Sequence, residues 1–158
     1  MTTTGYAEGS PTLPFSPRAY REVYAATPWD RIQVIKAGVK AQEAKRIVAD
    51  LRIQPSLVFK ALGLSPSAVG RAARRDGVLG TAHSERLLGL AKLIGQIHLM
   101  VEEAGMLNDF SAPAWLSRWL QEPVPALGGC RPLDLMDTME GQAQVADLIA
   151  RMRSGAYS

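Results

Sequence analysis

Apolar residues recur through this chain at intervals of three and four, the spacing that collects them on one side of a helix. No stretch alternates long enough to read as a half-buried strand, and the fold is expected to be all-α. Residues 1–16, rich in Thr, Ser, Gly and Pro and without period, read as a flexible N-terminal arm. A helix is expected from Pro17 to about Ala26. Thr27 as N-cap, Pro28 in the first helical position and Asp30 in the first turn start the next, which carries Ile32, Val34 and Ile35 and ends near Gly38. From Lys40 to Leu51, Ala44, Ile47, Val48 and Leu51 form one buried stripe. The longest helix runs from about Ser84 to Ala104, with Leu87, Leu90, Ala91, Ile94, Ile97 and Val101 in register and Leu88 and Leu99 widening the stripe. Such a helix is either central to the core or shared with a second subunit. Asp109 or Ser111 caps a helix through Trp115, Leu116, Trp119 and Leu120. Asp134 and Asp137 flank a short turn, and Gln142 to Arg153 make a last amphipathic helix on Val145, Leu148, Ile149 and Met152.

Two short helical pieces, Pro55–Leu62 and Pro66–Arg75, enclose Gly63, Leu64 and Ser65. Gly63 supplies a left-handed stop, and Ser65 before Pro66 is a strong start, so the segment reads as a helix-turn-helix. Val58, Leu62, Leu64 and Val69 are expected between its helices. Charge supports this reading. The whole chain carries only +3, yet residues 31–75 hold ten Lys and Arg against two Asp and Glu. A basic block on a folded surface attracts a polyanion, because each contact with a phosphate releases condensed counterions. The DNA-binding candidates are Arg71 as base reader, Arg74, Arg75 and Lys60 as phosphate contacts, and Ser65 and Ser67 at the start of the second helix. The plain alternative is a solvated helix end whose cations complement the helix dipole.

Other chemistry is sparse. The single cysteine, Cys130, builds no disulfide or metal cluster, has no neighbouring base, and reads as a partly buried thiol in a reducing cytoplasm. His83 and His98 have no second ligand at metal spacing, and Gly128–Gly129 has neither a preceding strand nor a following GKS or GKT. No catalytic constellation, metal or cofactor is expected. Trp115 and Trp119 read as core. The greasiest stretch, Leu87–Val101, is interrupted by Lys92, Gln96 and His98 and is shorter than the roughly 20 residues that span a bilayer. The first residues lack the basic start and apolar run of a secretory signal.

The segments SERLLGL at Ser84–Leu90, WL at Trp119–Leu120, PALGGCRPLDLMDTMEG at Pro125–Gly141 and the ending from Val145 follow one another in an order that, with the helix-turn-helix upstream, resembles the Xre/MbcA/ParS antitoxins. Phe59 departs from the small residues usual at its position, and Val124 and Cys130 stand where the family often has polar residues. The resemblance implies the neutralising half of a type II toxin–antitoxin pair. Its partner would be a RES-domain toxin, of a fold related to ADP-ribosyltransferases, that consumes or uses NAD. The C-terminal domain would cover the toxin and obstruct its NAD pocket with the chain end, while the N-terminal domain binds the operon's own operator and represses it.

The implied organisation is an arm at 1–16, a helix-turn-helix DNA-binding and dimerisation region at 17–80, and a toxin-binding domain at 81–158. A homodimer, and a higher-order complex with the toxin, are expected. The toxin-binding candidates are Arg131 and Asp134 in the loop, and Arg151, Arg153, Ser154, Gly155, Tyr157 and Ser158 at the chain end. Arginines suit carboxylate or phosphate subsites, and a tyrosine suits an apolar wall. The rival is a stand-alone helix-turn-helix repressor without a toxin.

Overall fold

The computed structural model describes residues 12–105 and 108–153, with nothing of the Arg153 side chain. Eight helices appear among them: α1 Tyr20–Ala25, α2 Pro28–Ala37, α3 Ala41–Asp50, α4 Pro55–Ala61, α5 Pro66–Arg74, α6 Thr81–Glu103, α7 Ala112–Leu120 and α8 Met139–Arg153. Two 3-10 turns, Pro125–Leu127 and Pro132–Leu135, lie between α7 and α8. The only extended pairing among the described residues is an isolated bridge between Lys40 and Val78, so the all-α reading stands. None of these helices is long and apolar enough to cross a membrane.

Local chemistry sets most boundaries. Thr27, Ser65 and Ser111 each accept a backbone amide three residues on, and each precedes a helix with proline in its first turn. Three expectations move. Ser84 does not start α6: its hydroxyl is buried, donating to the Leu79 carbonyl and accepting the Val39 amide, so the helix begins earlier, at Thr81. The last helix starts at Met139 rather than Gln142, because the Thr138 hydroxyl accepts the Gly141 amide. The first starts at Tyr20 rather than Pro17, after a turn in which the Ala19 amide reaches the Ser16 carbonyl.

α6 is the centre of the molecule, packed by α1, α2, α7 and α8. Leu87, Leu88, Leu90, Leu93, Ile94 and Ile97 are all buried within one chain, whereas Leu99, Met100 and Val101 near the end of this helix are half-buried. The apolar core is continuous from α3, α4 and α5 through α6 to α7 and α8. Phe15 also belongs to it, so the expected arm is shorter than 1–16: an aromatic ring near its end is drawn into the core. Arg31 donates to the carbonyls of Val23, Tyr24 and Ala26 at 3.1, 3.2 and 2.6 Å and thereby closes the C-terminal end of α1.

Candidate functional site

The helix-turn-helix is built as its sequence implies. The Gly63 amide reaches the Lys60 carbonyl and the Leu64 amide reaches the Phe59 carbonyl, with Gly63 at φ +74°, the paired bonding that ends a helix on a left-handed residue. Val58, Leu62, Leu64 and Val69 are buried between the helices, and Phe59 is buried with them at 5% exposure. The bulkier ring is therefore accommodated in the core.

On the outside of α5, Ser67, Arg71, Arg74 and Arg75 are exposed. The three arginines follow the i, i+3, i+4 spacing of one helix face. None of them makes a hydrogen bond or ion pair among the described residues, so their charges are available to a ligand. Ser65 is already engaged: its hydroxyl caps the Ala68 amide at 3.3 Å and lies 3.1 Å from the Ser67 hydroxyl. Lys60 is exposed on α4, facing the loop that follows α7 rather than the arginine face.

That loop is closed by the Val124 amide on the Cys130 carbonyl and the Gly129 amide on the Val124 carbonyl. Val124 is buried, while Cys130 is exposed rather than partly buried, because the backbone bonds turn its side chain outward. Arg131 grips both carboxylate oxygens of Asp134, Nε at 3.1 Å and Nη2 at 2.8 Å. The guanidinium beside it holds the Asp134 carboxyl below the usual carboxylate range. These two candidates thus form one exposed, preassembled ion pair. Leu133 and Met136, buried on either side, fix the loop to the core.

α8 buries Val145, Leu148 and Ile149. Arg151 pairs with Asp147 at 2.7 Å, one turn back. Arg153 ends the helix, and Ser154, Gly155, Tyr157 and Ser158 lie outside the described residues. Beside the end of α8, Ile97, Met100, Phe110, Trp115, Ile149 and Met152 line an apolar cleft of about 240 Å³. Trp115 and Trp119 stack with ring centroids 5.8 Å apart, and Trp119 is buried as expected for core. Neither His83 nor His98 joins a metal-ligating group among the described residues.

Sequence reasoning missed a second cleft, of about 370 Å³, between α4 and the loop, where Leu57 and Lys60 face Arg131, Asp134 and Asp137. Periodicity carries no signal for it, because its walls come from segments some 60–80 residues apart.

The described residues thus form a helix-turn-helix joined through one core to a second helical unit. Residues 30–92 match the antitoxin Xre-like helix-turn-helix domain, and residues 108–155 match the antitoxin Xre/MbcA/ParS C-terminal toxin-binding domain. The chain is 50% identical over 152 residues to a Prs ADP-ribosylating antitoxin of Sphingobium sp. (strain YBL2), covering 96% of this chain and 94% of that one. It is 23% identical over 128 residues to an antitoxin Xre of Yersinia enterocolitica serotype O:8 / biotype 1B (strain NCTC 13174 / 8081), covering 80% of each. The chain belongs to the Xre/MbcA/ParS antitoxin family and is an antitoxin of a toxin–antitoxin system.

Proposed function

We propose that this antitoxin neutralises a RES-domain toxin, a user of NAD with an ADP-ribosyltransferase-like fold, by laying its C-terminal domain over the toxin and its chain end across the NAD pocket. The observation that carries this reading is the last helix. α8 is held by Val145, Leu148 and Ile149, and its final turn ends at Met152 and Arg153 beside an apolar cleft. A rigid helix of this kind is a suitable base from which Arg153 and residues 154–158 reach into a partner's anion-binding pocket. The name of the Sphingobium relative, which joins antitoxin to ADP-ribosylation, supports the same toxin chemistry. A repressor without a toxin leaves the toxin-binding domain at residues 108–155 without a use.

The same protein represses its own operon through α5, with Arg71 reading a base, Arg74 and Arg75 holding phosphates, and Ser67 assisting at the N-terminal turn. The unpaired arginine face supports this. A two-fold dimer sets two such heads on a palindromic operator. Trp29 and Ile32, 66% and 41% exposed on α2, offer apolar surface for it next to α6.

Co-expression with the product of the adjacent gene tests the blocking mechanism, once with the full chain and once with a chain ending at Met152. The shortened antitoxin is expected to associate with the toxin yet fail to protect the cell. Full protection by the shortened form overturns the role of the chain end.

A further inference from the structure

We propose that the cleft between α4 and the loop following α7 is a second docking site for the toxin, and that Lys60 serves this protein contact rather than DNA. The proposal deepens the toxin reading and rests on it.

Leu57, Lys60 and Ala61 lie at i, i+3, i+4 and form one wall, and Arg131, Leu133, Asp134 and Asp137 form the other. Leu57 is 49% exposed, a large apolar side chain presented to an open cleft instead of the core. Lys60 and the Asp137 carboxylate have no hydrogen-bond or ion-pair partner among the described residues, so opposite charges stand uncommitted across the cleft. Charge selects the class of occupant. Arg131 and Asp134 neutralise each other, so a DNA backbone laid here would find Lys60 offset by the uncommitted Asp137 carboxylate, which repels a phosphate. A protein segment with an apolar side chain for Leu57, flanked by an acidic group for Lys60, satisfies the α4 wall.

Continuity identifies the partner. The loop wall lies inside residues 108–155, the toxin-binding domain, so a toxin seated on that domain meets α4 next. The two walls are also held together. The Arg86 guanidinium lies over Gly63, where a Cβ would collide with it, and donates to the Asp137 carbonyl at 3.3 Å. The turn of the reading unit is thus fixed to the rim of the cleft.

The test uses the full chain with Leu57→Asp or Lys60→Ala. Affinity is measured for the purified product of the adjacent gene, and for duplex DNA from the operon's own promoter over a salt series. Leu57→Asp is expected to weaken toxin binding about tenfold or more, as removal of an apolar anchor does, and Lys60→Ala severalfold. Lys60→Ala leaves the DNA salt slope where it was. A fall of about one in that slope makes Lys60 a phosphate contact and overturns the assignment. Toxin affinity unchanged by both variants, with melting temperatures intact, overturns the docking site, as does a change of oligomeric state alone. If the wild-type chain fails to bind the adjacent product, the toxin reading itself falls and the cleft proposal with it.

Discussion

Gly95 sits in the middle of α6 where the backbone of α1 crosses it, and replacing it by alanine sets two effects of opposite sign against each other. Alanine is favoured over glycine inside a helix by about 1 kcal/mol. A Cβ at Gly95, however, would overlap the Tyr20 carbonyl oxygen, stand 2.6 Å from its carbon and come within 3.0 Å of the Tyr24 Cβ. The main obstacle is backbone, so no rotamer change relieves it and α1 must move outward, carrying the fully buried Val23 and the Arg18–Asp50 pair. Overpacking of this kind costs about 1–3 kcal/mol, and a backbone collision belongs at the upper end. The net loss is about 2 kcal/mol, or about 4–8 °C in melting temperature for a protein of this size. Gly70 in α5 is the control, because a Cβ there meets only the mobile Arg74 guanidinium at 3.6 Å. Gly70→Ala is expected to raise the melting temperature by about 2–4 °C. Thermal unfolding followed by calorimetry or far-ultraviolet circular dichroism measures both. If Gly95→Ala melts as high as Gly70→Ala, α1 is not seated on α6 and the packing argument fails.

Asp50 accepts Arg18 Nε at 3.0 Å and Nη2 at 2.9 Å, and also the Tyr20 hydroxyl; Arg18, with help from Tyr20, holds its carboxyl below the usual carboxylate range. A depressed carboxylate contributes stability that is present above the unfolded value and lost as pH falls through the folded one. Asp50→Asn is therefore expected to melt below wild type near neutrality, with the gap closing in acid; a gap independent of pH in a melting series refutes the linkage. On the DNA side, the Arg74→Ala, Arg75→Ala double variant should weaken all sequences alike and reduce the slope of log affinity against log salt by about 1.8, two phosphates' worth, in filter-binding or anisotropy titrations. An unchanged slope assigns those arginines to solvent.

Where a residue's role is local, the sequence was readable. Thr27–Pro28 and Ser65–Pro66 announce helices because the cap and the first turn are adjacent in the chain, and of the two candidates Asp109 and Ser111 it is Ser111 that caps α7. Where a polar residue works at long range, the bounds shifted. The longest helix was expected from about Ser84, but that hydroxyl bonds the Val39 amide 45 positions away. The last was expected from Gln142, yet this side chain is buried inside α8 and donates to the carbonyls of Arg86 and Met136. The arginine face of α5 was legible because charge on one helix side needs no partner to be recognised. The cleft at Leu57 was not, since the stripe in its helix is defined by Val58 and Leu62, and only the packed loop gives the opposite face a boundary.

The polar links across the core bear on how the two functions coexist. Gln142 on α8 donates to the Arg86 carbonyl, Gln96 on α6 to the Ala146 carbonyl, and the Arg52 amide, between α3 and α4, to the Ser117 hydroxyl on α7. Breaking such a bond without replacement leaves a buried group unsatisfied at about 1–3 kcal/mol each. Separating the reading unit from the toxin-binding unit would break several at once and open the shared apolar core as well. The two units are therefore joined by part-buried hydrogen bonds as well as by a continuous apolar core. The cleft lined by Leu57, Lys60, Arg131 and Asp134 lies on this seam, with one wall from α4 and the other from the loop after α7.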